Sequence, residues 1–313
     1  MKKYHLLAPG PTPLPPEVLQ ALSRPILHHR TPEFEALFAR VRGGLSELLE
    51  TRNEVIVLAA SGTGAMEAAV VNLCSPGDEA IVVRCGKFGE RWGEIGKAFG
   101  IRVHALDAPY GEAVAAERVA EALKAHPQAR ALFATQSETS TGVLQDIGGY
   151  ARLTRRTDTL LVVDTVSSFG VVACPMDASG VDAVVAGSQK GLMCPPGLAF
   201  IALGDRAWRA AERATCPKFY WDLRAERKWQ AKGQAQFTPA VSLLMGLDVA
   251  IGLLKADGLA QVYRRHDLLA RATRAGAEAL GLTLFTRAAP SPAVTAIKAP
   301  PGVDGEAVVR AYG

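Results

Sequence analysis

Apolar residues recur along this chain with two different periods, and the switches between them outline its elements. In "TPEFEALFARVRGGLSELLE" (31–50) they fall at helical spacing, behind a Thr suited to an N-cap and a Pro suited to the first helical position. "EVIVLAA" (54–60) is instead a short unbroken apolar run, which predicts a buried strand, and "SGTGAMEAAVVNLC" (61–74) turns from it into a helix. Further strands are predicted at 79–84, 102–106, 130–135, 159–164, 181–187 and 198–203, with helices such as 114–125 and 148–156 between the earlier ones. Unbroken apolar strands alternating with helices predict an α/β fold, a mostly parallel sheet sandwiched by helices.

The flanks read differently. Residues 1 to about 32 are rich in Pro and Gly and predict an extended arm. Residues 213–238 show no period and predict a long irregular connection, ordered by its aromatics. Helices are expected at about 239–256 and 258–280, then strands at 282–286 and 293–299 and one last helix. The expected organisation is an N-terminal arm (1–17), a large domain (18–245) and the start of a small C-terminal α+β domain (246–313). Two strands and one helix are thin cover for a two-layer unit, so this last domain reads as truncated.

Composition narrows the classes. With 313 residues, 49% apolar and 21% charged, the chain is globular material with room for a sizeable core. A formal charge of +4, from basic residues spread along the chain, leaves no nucleic-acid footprint. The N-terminal apolar run is too short for a signal peptide and no segment has the length of a membrane span, so a cytoplasmic protein is expected. The five cysteines show no C-x-x-C spacing and the histidines no ligand spacing, so no metal site is expected.

The candidate chemistry lies where strands end, which is where open α/β sheets bind ligands. "SGTG" (61–64) joins a strand to a helix N-terminus, a ready anion site. It lacks the GK[ST] ending of a Walker loop and the third glycine of a dinucleotide fold. "SETSTG" (137–142) follows another strand, Asp164 ends a third, and Lys190, within "GSQKGLMCPPG", follows a fourth. Taken singly, Ser61 and Thr63 read as helix caps, Thr139 as a turn residue and Lys190 as a solvated loop cation. Together they are the parts that pyridoxal phosphate needs. A helix N-terminus suits its phosphate, a lysine its aldehyde, and a carboxylate its ring nitrogen. Desolvation should lower the pKa of Lys190 and ready it as a nucleophile.

"APGPTPLPPEV", "SGTGAMEAAVVNL", "QSETSTGVLQDI", "LVVDTVSSFGVVACPMD", "GSQKGLMCPPGLAF" and "FTPAVSLL" occur in that order from residue 8 to about 245. In these the chain resembles the class V aminotransferases of the alanine–glyoxylate and serine–pyruvate type, of PLP fold type I. The resemblance implies that Ser61, Gly62, Thr63 and Gln189 hold the phosphate. It also implies that Thr139 contacts the oxygen side of the pyridine, that Asp164 pairs with the ring nitrogen and that Lys190 forms the Schiff base. Phe88 stands where the family stacks an aromatic on the ring, often Trp. A homodimer is implied, with phosphate ligands crossing from the neighbouring subunit in "AQFTPAV": Thr238, or less well Gln236. The family's carboxylate-gripping Arg, in a segment like "LRIG", has no counterpart before Gly313. The implied activity is ping-pong transfer of an amino group from alanine or serine to glyoxylate or pyruvate, with Lys190 moving the proton. The rivals are a lyase or a desulfurase using Cys216, a nicotinamide-binding oxidoreductase, and a metal-dependent redox subunit such as a hydrogenase.

Overall fold

The computed structural model describes residues 6–286 and 288–312; the first five residues of the expected arm and Gly313 lie outside them. The strands are β1 (Val55–Leu58), β2 (Glu79–Arg84), β3 (Arg102–Asp107), β4 (Ala129–Thr135), β5 (Ser137–Glu138), β6 (Val143–Leu144), β7 (Leu160–Asp164), β8 (Ala183–Gly187), β9 (Ala199–Leu203), β10 (Thr283–Leu284) and β11 (Ile297–Lys298). The helices are α1 (Pro16–Leu22), α2 (Pro32–Leu48), α3 (Gly62–Leu73), α4 (Lys87–Ala98), α5 (Ala116–Ala125), α6 (Ile147–Thr154), α7 (Met176–Ser179), α8 (Asp205–Ala211), α9 (Leu223–Gln230), α10 (Val241–Asp257), α11 (Leu259–Ala279) and α12 (Gly305–Tyr312).

Seven strands form one sheet in the order β1-β9-β8-β7-β4-β2-β3. Neighbours from β8 to β3 pair parallel, whereas β9 pairs antiparallel with both β8 and β1. Two reversals restore the direction of β1. The carboxyl ends of β1, β4, β7 and β8 therefore open on one edge, and that edge carries every candidate residue from the strand ends. Alternation along the strands sends side chains to two cores, as parallel strands buried on both faces require. On one face Val55, Leu132, Leu161 and Val184 pack with α2 and α10; on the other Ile56, Phe133, Val162 and Val185 pack with α3, α4 and α8.

Several expectations need correction. The Pro- and Gly-rich segment 1–32 is not wholly extended: α1 starts at Pro16, a proline at the first helical position, and buries Val18 and Ala21 against α10. Residues 213–238 are not irregular throughout, because α9 runs through them behind Asp222, whose side chain accepts from the amides of Arg224 and Ala225. The strands expected at 282–286 and 293–299 reduce to two paired residues each. Helix α10 runs unbroken through the residues where the large and small domains are expected to meet, and buries Leu244, Leu247 and Ile251 in the main core.

The new helix α9 has a specific task. Strand β1 is an edge, and the Gln230 side chain covers it: Val57 N–H donates to Oε1 (3.2 Å) and Nε2 donates to the Val57 carbonyl (2.9 Å). A buried side-chain amide thus satisfies the backbone groups that a missing strand would have paired.

Candidate active site

Ser61, Gly62, Thr63, Phe88, Thr139, Asp164, Gln189 and Lys190 all line one cavity at the carboxyl edge of the sheet. Eight residues spread over some 130 positions of sequence converge there because the strands point one way. Thr238 does not line it. That residue is exposed and borders a separate recess with Val57, Tyr220, Glu226 and Phe237. Nor does Cys216, which is buried in the core against α3 and α4 with its thiol pushed above its ordinary pKa by burial.

At one side of the cavity stands the N-terminus of α3. Ser61 is its N-cap in extended conformation, but its side chain makes no capping bond. The first amides of a helix have no intrahelical acceptor and carry the positive end of the dipole, so this end is ready to take an anion. Thr63 Oγ1 accepts from Arg91 Nη1 at 3.1 Å. Arg91 was not singled out from the sequence. It lies on α4, lines the cavity, and holds its guanidinium 4.7 Å from the centre of the Phe88 ring. Gln189 Oε1 is buried without a hydrogen-bond partner. The O and N of an amide are exchangeable in assignment, so a half-turn would present two N–H donors to an anion at the same place.

Asp164 ends β7 and is 2% exposed, which makes it the most enclosed charge in the cavity. Its Oδ1 accepts from the Val166 amide at 2.7 Å and its Oδ2 from the Thr135 hydroxyl at 3.4 Å. Burial pushes its pKa up to about 6, outweighing the Val166 amide, which favours the anion. A cation facing this carboxylate would reverse that shift, so the site is built to meet one. Thr139 Oγ1 and Ser167 Oγ share a 2.6 Å hydrogen bond on the same rim.

Lys190 sits in the loop between β8 and β9, and the loop is pinned. Ser188 Oγ donates to the Pro195 carbonyl at 2.6 Å, and the Cys194 amide donates to the Ser188 carbonyl at 3.1 Å. Gly191 has no room for a side chain, since a Cβ would lie against the Phe169 carbonyl. From outside, the N-terminal segment lies over the loop: Thr12 N–H donates to the Gln189 carbonyl (3.3 Å) and Thr12 Oγ1 to the Lys190 carbonyl (3.2 Å). Gly10, at φ +151°, allows the closest approach, because any Cβ there would meet the Lys190 side chain. Among the described residues the Lys190 amine has neither hydrogen bond nor ion pair. Desolvation lowers its pKa and the Asp164 charge opposes this.

Glu138 was also missed from the sequence. Fully buried, it accepts from the amides of Phe88 (3.1 Å), Gly89 (3.0 Å) and Ser140 (3.1 Å). It thereby caps α4 from the β5–β6 hairpin, the task that side-chain-free Gly86 cannot do, and fixes the helix that carries Phe88 and Arg91.

An anion-ready helix end, an unpartnered amide, a desolvated lysine and a buried carboxylate awaiting a cation fit the donor set of pyridoxal phosphate. Fold and site together define a pyridoxal-phosphate-dependent aminotransferase with an α/β fold. The sequence profile of the family Aminotransferase class-V matches residues 4–311, and the chain belongs to that family. It is 44% identical over 308 residues to the "Soluble hydrogenase, small subunit" of a Synechococcus strain, covering 97% of this chain and 80% of that one. The structure of an aspartate aminotransferase from Thermus thermophilus superposes with a TM-score of 0.91 at 39% identity, over 99% of this chain and 86% of that one. An alanine–glyoxylate aminotransferase from Nostoc superposes at 0.95 with 34% identity, over 99% and 83%. Pyridoxal phosphate is the cofactor. Among the described residues no cysteine belongs to a group of three or more His, Cys, Asp or Glu side chains arranged to hold a metal ion. No helix among the described residues is long and apolar enough to cross a membrane.

Proposed function

We propose that the chain transfers an amino group from a small amino acid, alanine or serine, to glyoxylate or pyruvate in two alternating half-reactions. The observation that carries this is the shared cavity of Lys190, Asp164 and the N-terminus of α3. Bound pyridoxal phosphate supplies an aldehyde for the amino group and a ring that accepts the electron pair of the broken Cα–H bond. Ser61, Gly62 and Thr63 hold the phosphate by amides and hydroxyl, with Gln189 beside them. Phe88 covers the ring, Thr139 serves its oxygen side, and Asp164 holds a proton at the ring nitrogen. Lys190, its amine free of partners and easily deprotonated, would take the proton from the substrate Cα and deliver it to the coenzyme carbon that bore the aldehyde, so that the amino group stays with the coenzyme. The cavity on the other flank of Lys190 is bounded by apolar Pro9, Pro13, Val171 and Met193 and by Arg265 and His266, so it offers both an apolar wall and cationic groups to a substrate. The Nostoc relative's name agrees with alanine as donor and glyoxylate as acceptor, whereas the Thermus relative's name makes aspartate the competitor to test.

We further propose a homodimer in which Thr238, with Gln236 beside it, reaches the partner's phosphate. In support, Thr238 is exposed and lines a recess other than its own cavity, the Gln236 Oε1 is buried without a partner, and Phe219 nearby is 78% exposed.

The test is the visible spectrum of the purified protein with L-alanine, L-serine and L-aspartate in turn, beside Lys190→Ala. The expected result is a coenzyme band that is converted by alanine or serine, restored by glyoxylate or pyruvate, and unresponsive in the variant. Conversion by aspartate alone would overturn the small-substrate reading, and conversion in Lys190→Ala would overturn the role of the lysine.

A further inference from the structure

Three residues remote in sequence meet at the other end of the sheet, where β2 and β4 begin. Glu79 opens β2, His104 lies on the neighbouring edge strand β3, and His126 ends α5 just before β4. His104 Nε2 is 3.1 Å from Glu79 Oε2, and His126 Nδ1 is 4.0 Å from the same oxygen. The ligand atoms of all three lie within 4.8 Å of one another. The two imidazoles stack with their centres 3.6 Å apart. The other carboxylate oxygen is taken: Arg102 Nη2 donates to Glu79 Oε1 at 2.9 Å.

A hydrogen-bonded surface cluster explains part of this. It accounts for His104 and Glu79 but not for His126, whose nitrogen is too far from the carboxylate to share a hydrogen bond with it. Two imidazoles and one carboxylate are the donor set of a borderline divalent ion. In a tetrahedral zinc site the ligand atoms stand roughly 3.3 Å apart, from bond lengths of about 2.0–2.1 Å. Glu79 and His104 already have that spacing, and His126 reaches it by rotating its ring off the stack. Arg102 does what an outer-shell partner does, orienting the carboxylate by its far oxygen so that the near one faces the histidines. The side chains are 23–32% exposed, so water can enter and take the fourth position.

We infer that Glu79, His104 and His126 form a zinc site, with Glu79 Oε2, His104 Nε2, His126 Nδ1 and a water as ligands. Its place assigns it a structural part. It joins the edge strand β3 to β2 and to the end of α5, across the sheet from the coenzyme and apart from its chemistry. Neither sequence spacing nor cysteine count could reveal it, because intervals of 25 and 22 residues match no local motif.

The experiment is calorimetric titration of tag-free, coenzyme-loaded protein with zinc chloride, after free coenzyme has been removed. One saturable site per chain is expected, weakened roughly tenfold or more in both His104→Ala and His126→Ala and unchanged in His28→Ala. Coenzyme spectrum and transamination rate should be the same in all of them, which also reports that the variants fold. Cobalt(II) added to the unmutated protein gives an independent reading: intense visible bands of a four-coordinate ion are expected. Absence of a saturable zinc site, parental affinity in either histidine variant, or only the faint bands of octahedral cobalt would each overturn the inference.

Discussion

Asp164 shows how a residue can be set against the stability of its own fold. Its pKa is raised to about 6, mainly by burial, against about 3.9 in an unfolded chain. The folded state therefore holds the proton more tightly than the unfolded one. The stabilisation this gives is complete below the unfolded value and is lost as pH rises through about 6. Cofactor-free protein should carry a penalty of about 1–3 kcal/mol from this group above pH 7. Asp164→Asn should remove it while keeping the Val166 amide bonded, so the cofactor-free variant should melt several degrees above the parent at pH 8 and alongside it at pH 4.5. The same change should cost about three orders of magnitude in turnover, since no anion then holds a proton at the ring nitrogen. Melting curves at the two pH values check the first part; equal midpoints at pH 8 would refute it. This residue was legible in the sequence because a carboxylate after four apolar residues stands out. So did Lys190 and the Ser61–Thr63 turn. Arg91 and Glu138 did not: one is an ordinary arginine on an amphipathic helix, the other an acid in the two-residue strand β5. Their importance lies in what they reach across the fold.

At the scale of elements, two contacts carry the geometry of the site. Glu138 holds the N-terminus of α4 through the backbone amides of Phe88 and Gly89, and its own hairpin through that of Ser140. Glu138→Ala should leave these buried donors unpaired and cost about 2 kcal/mol of stability. Because Phe88 and Arg91 ride on that helix, coenzyme affinity should fall roughly tenfold as well, with Glu138→Gln intermediate, since it keeps one acceptor. Equilibrium dialysis against pyridoxal phosphate measures this, and unchanged affinity in Glu138→Ala would detach α4 from the site. The second contact is the N-terminal segment on the Lys190 loop. Gly10→Val should displace the lysine side chain and lower turnover by roughly tenfold to a hundredfold with little change in melting temperature, because the segment is peripheral to the core. Such links are illegible in sequence for a physical reason: a proline-rich segment states its own conformation but not what it lies on. The charge pattern "LRAERKWQ" hid α9 in the same way, since its helix is held by the Asp222 cap and by Gln230 on β1, not by an apolar stripe.

At the scale of the molecule, the strand pattern predicted the sheet and its two covered faces well, because buried parallel strands must be apolar on both sides. It could not predict that β9 runs backwards, and that reversal lets β1 share its open edge with β4, β7 and β8. It also could not say that Thr238 would lie outside the cavity of its own chain. The dimer proposal resolves this and has a sharp consequence. Thr238 would be silent in its own subunit and active in the partner's, so its effect should track association. Thr238→Val should remain a dimer in sedimentation, because one hydroxyl contributes little to an interface, yet bind coenzyme several-fold more weakly for want of a phosphate donor. Dilution of the parent protein towards the monomer should reproduce the same loss of affinity, and should add nothing further in the variant. A parent protein that sediments as a monomer with full coenzyme affinity would refute the shared site, and place the phosphate entirely in the hands of Ser61, Gly62, Thr63 and Gln189.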